Sequence, residues 1–290
     1  EYVMQRSAGI VVHPKNREAH RMAHEIIAYL QRHHVAVRLE AESAERLGLP
    51  ALACAPEDLH AVTFVLTLGG DGTILKAARR VAAYGVPILG VHMGRFGFIA
   101  EAHPNDVYTY LHAVLEGAYR IEERMMIRMD IQRQDMVVHR REGLNEAVVK
   151  SAMSHLLRLT LTLGGREFAT YPADGVIVAV PTGSTAYSLS AGGPLVAPTV
   201  QALIITPICP HTLSARPLIV PDDETVEIEV EMDGGEVRCA VDGLEEFAIR
   251  PGDRVCICRS EHVTRLITLE PGSFYRKVRA RYLYGERLNE

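Results

Sequence analysis

The stretch Ala61–Lys76, AVTFVLTLGGDGTILK, constrains the fold of this chain more than any other. Val62 to Leu68 is β-branched and apolar with little alternation, the pattern of a strand buried on both faces of a parallel sheet. The run stops at Gly69-Gly70-Asp71-Gly72-Thr73, and Ile74-Leu75 with Ala77-Ala78 begins a helical pattern. Strand, glycine turn and helix in that order mark the place where an open α/β sheet binds its ligand. Three glycines let backbone approach a ligand closely, and a helix N-terminus offers free N–H groups to an anion. A turn built only to hold phosphate gains nothing from a carboxylate, so Asp71 is assigned chemistry. The plainer alternative is a tight turn in which Asp71 caps the helix.

The flanking sequence extends this pattern. Gly9–His13 and Val35–Leu39 are short apolar strands around a helical period over Arg17–His33, with Ala19, Met22, Ala23, Ile26, Ile27 and Leu30 on one side. Ile74–Tyr84 continues as a helix, Val86–Val91 as a buried strand, and His92–Phe98 as a second glycine-rich turn before an amphipathic Asn105–Glu116. The succession predicts an α/β domain with a mainly parallel sheet over residues 1–120. The texture then changes. Short alternating segments such as MDIQRQD, LLRLTLTLGG, TVEIEVEM and RVCICRS predict an antiparallel β domain over residues 121–272. Ser273–Leu288 is a basic amphipathic helix that either packs back on the first domain or frays.

The composition removes several classes of function. A net charge of −5 without a Lys/Arg run argues against a nucleic-acid binder. No stretch approaches the roughly 20 apolar residues of a membrane span, and residues 1–12 lack the pattern of a signal peptide. The five cysteines, Cys54, Cys209, Cys239, Cys256 and Cys258, form no CxxC pair. That suits reduced thiols in the cytoplasm, with Cys256 and Cys258 read as core packing. His20 and His24 have the spacing of a zinc pair but no third ligand, so no protein metal site is expected.

Two further stretches carry chemistry. Asn145-Glu146, an amide beside a carboxylate at the start of an apolar strand, suits the edge of a base and a ribose hydroxyl. In isolation such pairs are more often ordinary turn residues. Asp174–Pro194 runs from a buried strand, Val176–Val180, into Pro181-Thr182-Gly183-Ser184-Thr185-Ala186-Tyr187-Ser188. Its small hydroxyl residues suit the edge of a flat heterocycle, and Tyr187 suits stacking. The alternative, a polar connection rich in caps, is less consistent with that density of Gly, Ser and Thr.

Taken together, Gly69–Thr73, Gly94–Phe98, Asn145-Glu146, Asp174–Pro194 and Pro210–Pro217 resemble, in order and spacing, the NAD kinase family. The GGDGT element alone is shared with diacylglycerol-type lipid kinases and more distantly with phosphofructokinases. Its combination with NE and PTGSTAYSLSAGGP is highly specific, and the resemblance runs from Gly9 to about Phe274. It implies an α/β domain followed by an all-β, sandwich-like domain, and phosphorylation of the 2′-hydroxyl of NAD's adenosine ribose to give NADP. Carried over, Asp71 resembles the proton acceptor and Gly72 a close backbone contact. Gly69, Gly70, Gly72 and Thr73 would hold the donor phosphates. Asn145, Glu146, Asp174, Thr185, Ala186, Tyr187, Ser188, Leu189 and Ser190 match the stretches that bind NAD, and His155 matches a further contact. Three positions depart from the family pattern: Pro172 for Arg, Leu244 for Gln and His92 for Asn. They bear on the choice between NAD and NADH.

The resemblance further implies ATP or polyphosphate as donor, Mg²⁺ arriving with the nucleotide, and a homodimer or homotetramer with Ile204–Pro217 as the candidate contact. Two other readings compete. A lipid kinase requires an apolar acceptor pocket and leaves NE and PTGSTAY unexplained. A non-catalytic dinucleotide sensor has no need of Asp71.

Overall fold

A computed structural model of the chain describes residues 6–94, 97–153, 156–231 and 235–282. They divide into two compact units, one of residues up to Glu123 together with those from Val263, the other Arg124–His262.

The first unit opens with β1 (Ser7–Val12), α1 (Arg17–Arg32), β2 (Ala36–Glu40), α2 (Ala41–Leu47) and β3 (Ala53–Cys54). β4 (Phe64–Gly69), α3 (Asp71–Val81), β5 (Ile88–His92) and α4 (Val107–Glu116) follow. The strands are parallel in the order β5-β4-β1-β2-β3. Asn16 starts α1 by accepting the Ala19 N–H at 3.0 Å, a side-chain cap for one of the orphan donors of a helix start. The apolar stripe of α1 at Ala19, Ala23, Ile26, Ile27 and Leu30 joins Ile10, Leu66, Leu68, Leu89 and Leu111 in one core. On the opposite face Gly90 of β5 lies under Ile74 of α3, closely enough that a Cβ there would stand 2.6 Å from the Ile74 Cδ1. Two features differ from the sequence expectation. The helix after the glycine turn begins at Asp71 rather than Ile74, and the seven-residue α2, closed by Gly48 at φ +67°, was not anticipated.

In the second unit the strands are β6 (Arg120–Arg133), β7 (Met136–Gly143), β8 (Glu146–Ser151), β9 (Leu157–Leu163), β10 (Arg166–Ala173) and β11 (Gly175–Ala179). After the short α5 (Tyr187–Ser190) come β12 (Ala202–Ile208), β13 (Leu218–Pro221), β14 (Val226–Glu231), β15 (Val237–Val241), β16 (Leu244–Ala248) and β17 (Arg254–Thr268). One antiparallel group runs β10-β9-β14-β17, another β13-β12-β11-β8-β15-β16, and β6 with β7 forms a hairpin. Ile127, Leu159, Ile228 and Ile257 share a single apolar cluster with Val149, Val178, Leu203 and Cys239 of the six-stranded sheet. Two sheets facing one core give the sandwich-like domain that was expected. Cys256 and Cys258 are a correction: both are half-buried, because the alternation of β17 gives the core face to Val255 and Ile257.

The end of β17 belongs to the first unit, where Leu266 pairs with Ile88 of β5 and Ile267 enters the core. Residues 263–272, expected in the β-rich domain, are therefore part of the α/β unit. The chain continues into α6 (Phe274–Tyr282), within the expected Ser273–Leu288 helix, whose residues from 283 lie outside those described.

Candidate active site

Asp71 is the first residue of α3, directly after the C-terminal end of β4. It does not cap its own helix: Gly70 is the N-cap and makes no side-chain bond. The carboxylate turns instead to the segment after β5. Its Oδ2 accepts the Phe98 N–H at 2.8 Å, and its Oδ1 accepts those of Ile99 at 3.2 Å and Ala100 at 3.3 Å. A carboxylate has about four lone-pair sites, so three bonds fix its orientation and leave one on Oδ2. Gly97 makes this approach possible, since a Cβ at that position would lie 2.6 Å from the Asp71 Cγ.

The rest of the turn lines a cleft of about 490 Å³ with Val12, His13, Pro14, Asn16, Lys76 and Met93. Gly70 and Gly72 face open space, whereas a Cβ at Gly69 would strike the Thr73 hydroxyl. The N-terminus of α1 stands beside that of α3, so two sets of free N–H groups open at the same cleft. Asn16 ties the α1 start to the residue after β5, donating from Nδ2 to the Met93 carbonyl at 3.2 Å while its Oδ1 caps α1. His13 and Asn16 were missed in the sequence. The signal available was a buried strand ending in Pro14 with a capping residue just beyond, at the same sheet edge as the glycine turn. Lys76 is held by Glu40 at 2.8 Å and Glu42 at 2.7 Å.

In the second unit Asn145 and Glu146 are 8% and 5% exposed. Asn145 Oδ1 and Glu146 Oε2 are buried without a hydrogen-bond partner. Orphaned buried acceptors are costly, which marks these two neighbouring residues as candidates to accept from a ligand. Burial, then the nearby Asp242 carboxylate, pushes the Glu146 carboxyl up to about 7 against a weaker opposing backbone hydrogen bond from Tyr187. Asp242 fixes this corner: its carboxylate accepts the N–H groups of Leu144 at 2.9 Å, Asn145 at 2.8 Å and Glu146 at 3.4 Å. Asp242 was not singled out in the sequence, where Asp242-Gly243 reads only as a turn.

The Pro181–Ser190 loop touches the same corner. Gly183 passes so close to the Asn145 carbonyl that a Cβ would stand 2.5 Å from the carbonyl carbon, and the Val180 N–H donates to that oxygen at 3.0 Å. Of the expected contacts, Tyr187 and Ser190 are exposed, and Thr185, Ala186 and Leu189 are half-buried. Ser188 is fully buried with its hydroxyl 2.8 Å from that of Thr206, and Ser184 is bonded to Val196, so both hydroxyls serve the loop. Asp174 is half-buried at the start of β11, its carbonyl accepting the Ser151 N–H at 3.0 Å. His155 lies outside the described residues, as do Arg95 and Phe96 of the second glycine-rich turn. Pro172 lines a cavity of about 390 Å³ with Tyr171, Pro207 and Ser214–Leu218. Leu244 is 39% exposed, and burial holds the His92 imidazole below its ordinary range, aided by His103 and Lys277.

Residues 8–119 match the family model described as the ATP-NAD kinase N-terminal domain, and residues 144–269 that of the ATP-NAD kinase C-terminal domain. The chain belongs to the NAD kinase family. A member from Moorella thermoacetica is 45% identical over 283 residues, covering 97% of this chain and 90% of its own. One from Symbiobacterium thermophilum is 44% identical over 254 residues, covering 87% and 89%. Among solved structures in the family, yeast NADH kinase complexed with NADH superimposes with a TM-score of 0.90 at 25% identity, covering 98% of this chain and 90% of that one. An NAD kinase from Archaeoglobus fulgidus in complex with ATP gives 0.73 at 26% identity, covering 94% and 99%.

Proposed function

We propose that the chain transfers the terminal phosphoryl group of ATP to the 2′-hydroxyl of the adenosine ribose of NAD, giving NADP and ADP. The observation that carries this reading is the oriented Asp71 carboxylate in a glycine turn, within a chain that also buries two orphaned acceptors at Asn145 and Glu146. A secondary hydroxyl is a poor nucleophile, and a base within hydrogen-bond reach removes its proton as the new P–O bond forms. The open lone pair on Asp71 Oδ2 takes that proton, and the bond between the β- and γ-phosphates breaks to release ADP. The amides of the turn and of the α1 start hold the donor phosphates. Asn145 and Glu146 accept from the adenosine, and Tyr187 covers it. Phosphoryl transfer depends chiefly on positioning and charge neutralisation, so a weak base suffices.

Among the described residues no three His, Cys, Asp or Glu side chains gather to hold a metal. Mg²⁺ would enter as part of the substrate, carried in by the nucleotide to neutralise phosphate charge. Free thiols at all five cysteines suit a reducing compartment, and we assign the chain to the cytoplasm. Self-association through the Ile204–Pro217 stretch, where Leu213 is 91% exposed, is part of the same proposal. Light scattering of Leu213→Asp against the parent tests it.

A coupled assay for NADP from NAD with ATP and Mg²⁺ tests the central reading. A lipid kinase or a sensor gives no product. Polyphosphate in place of ATP in the same assay decides the donor, and NADH in place of NAD the acceptor.

A further inference from the structure

Lys277 of α6 is 3% exposed, deep for a lysine. Its ammonium donates to the Phe98 carbonyl at 3.1 Å, the Ala100 carbonyl at 3.0 Å and the Glu101 carboxylate at 2.7 Å. Three donors meet three acceptors, so the group is fully satisfied. The acceptors sit on the segment whose N–H groups grip Asp71. One peptide group links the two residues directly. The carbonyl of Phe98 takes the lysine, and the N–H of the same peptide unit, that of Ile99, gives to Asp71 Oδ1. A charge-assisted bond to a carbonyl polarises its peptide unit and makes the N–H a stronger donor.

Two further contacts, from Ser273 just before α6 and from Tyr282 at its end, reach the same segment. Ser273 donates to Glu101 at 2.9 Å, and the Tyr282 ring stacks 6.1 Å from that of Phe98. Glu101 is itself almost wholly buried, so Lys277 and Glu101 form a buried ion pair with no net charge. Such pairs contribute little stability over apolar residues of similar volume, which leaves geometry as the effect to explain.

We propose that Lys277 is a positioning residue for the phosphoryl transfer: it holds the 98–101 segment so that its amides aim the Asp71 carboxylate. This rests on the reading of Asp71 as the base. Lys277→Met alone strands Glu101 in the interior and risks misfolding. The informative variant is therefore Lys277→Met/Glu101→Gln, which removes both charges and keeps an acceptor for Ser273. Its expected behaviour is a thermal transition lowered by a few degrees, because the Phe98 and Ala100 carbonyls lose their donor, KM for NAD and for ATP within about twofold, and kcat lower by roughly tenfold to a hundredfold in the folded protein, the scale of a small misplacement at a reacting centre. Amide hydrogen exchange at residues 98–100 is expected to quicken in the same variant. A kcat within twofold of the parent overturns the proposal. So does a raised KM at constant kcat, or a loss of kcat that only tracks the folded fraction. Asp71→Asn is assayed alongside. If it keeps its turnover, the base reading itself fails; if it is inactive while the double variant is fully active, only the role of Lys277 fails.

Discussion

Asp71 uses three of its roughly four lone-pair sites on backbone amides, and this shapes what its replacement does. In Asp71→Asn one oxygen still accepts from the 98–100 amides, but the open site loses its negative charge. The expected outcome is a kcat lower by about 10²–10⁴-fold, the usual contribution of a positioned base, with NAD affinity by calorimetry nearly unchanged. Glu146 makes a different prediction. With its carboxyl pushed up to about 7, it is partly protonated at neutral pH, and only the ionised form accepts with both oxygens. A ligand that donates to it binds the ionised form, so KM for NAD is expected to rise as pH falls through about 7. Glu146→Gln should weaken binding at pH 8 and flatten that profile. A parent KM constant from pH 6 to 8 would exclude this role.

Asp71 in the first unit and Asp242 in the second use the same local device, a glycine followed by three amides converging on an aspartate from elsewhere in the chain. Gly97 precedes the donors to Asp71, and Gly143 precedes those to Asp242. A Cβ at Gly143 would stand 2.7 Å from the Asp242 Cγ, as one at Gly97 would crowd Asp71. Gly97→Ala is accordingly expected to displace the Asp71 carboxylate and, if that group is the base, cut kcat by roughly tenfold or more, with the Asn145–Glu146 corner intact. Asp242→Ala strands three amides at about 1–3 kcal/mol each, and differential scanning calorimetry should show a transition lowered by several degrees. Here lies the limit of what the sequence made legible. The glycine turn, the NE pair and the loop after β11 are local patterns, and each was visible because its residues are neighbours. The amides that grip Asp71 stand 27 to 29 positions away, and Asp242 is 96 to 98 positions from its donors. No periodicity encodes such pairings. Helix α2 escaped for another reason: Glu40 gives it no side-chain cap, and two turns are too few to show a period.

At the scale of the whole molecule the two units are unequal in how the chain builds them. Residues 124–262 are one continuous segment with its own two-sheet core. The α/β unit is split: it needs the first 123 residues and also the return segment, which supplies Leu266 beside β5, Ile267 in the core and Lys277 against the 98–101 carbonyls. The change from runs of buried residues to alternation made the first crossing legible near 120. The return crossing falls inside β17, a single strand that runs through His262 without a turn, so the sequence gave no boundary there. The split has a measurable consequence. A fragment of residues 124–262 is expected to fold alone, with a cooperative thermal transition, a strand-dominated circular dichroism spectrum and weak binding of NAD. A fragment of residues 1–123 lacks β17's end, so Ile88 loses Leu266 on one side, and Glu101 and the Phe98 and Ala100 carbonyls lose Lys277. It should remain partly unfolded until a peptide covering 263–290 is added, and gain of helical signal on that addition is the observation that checks it.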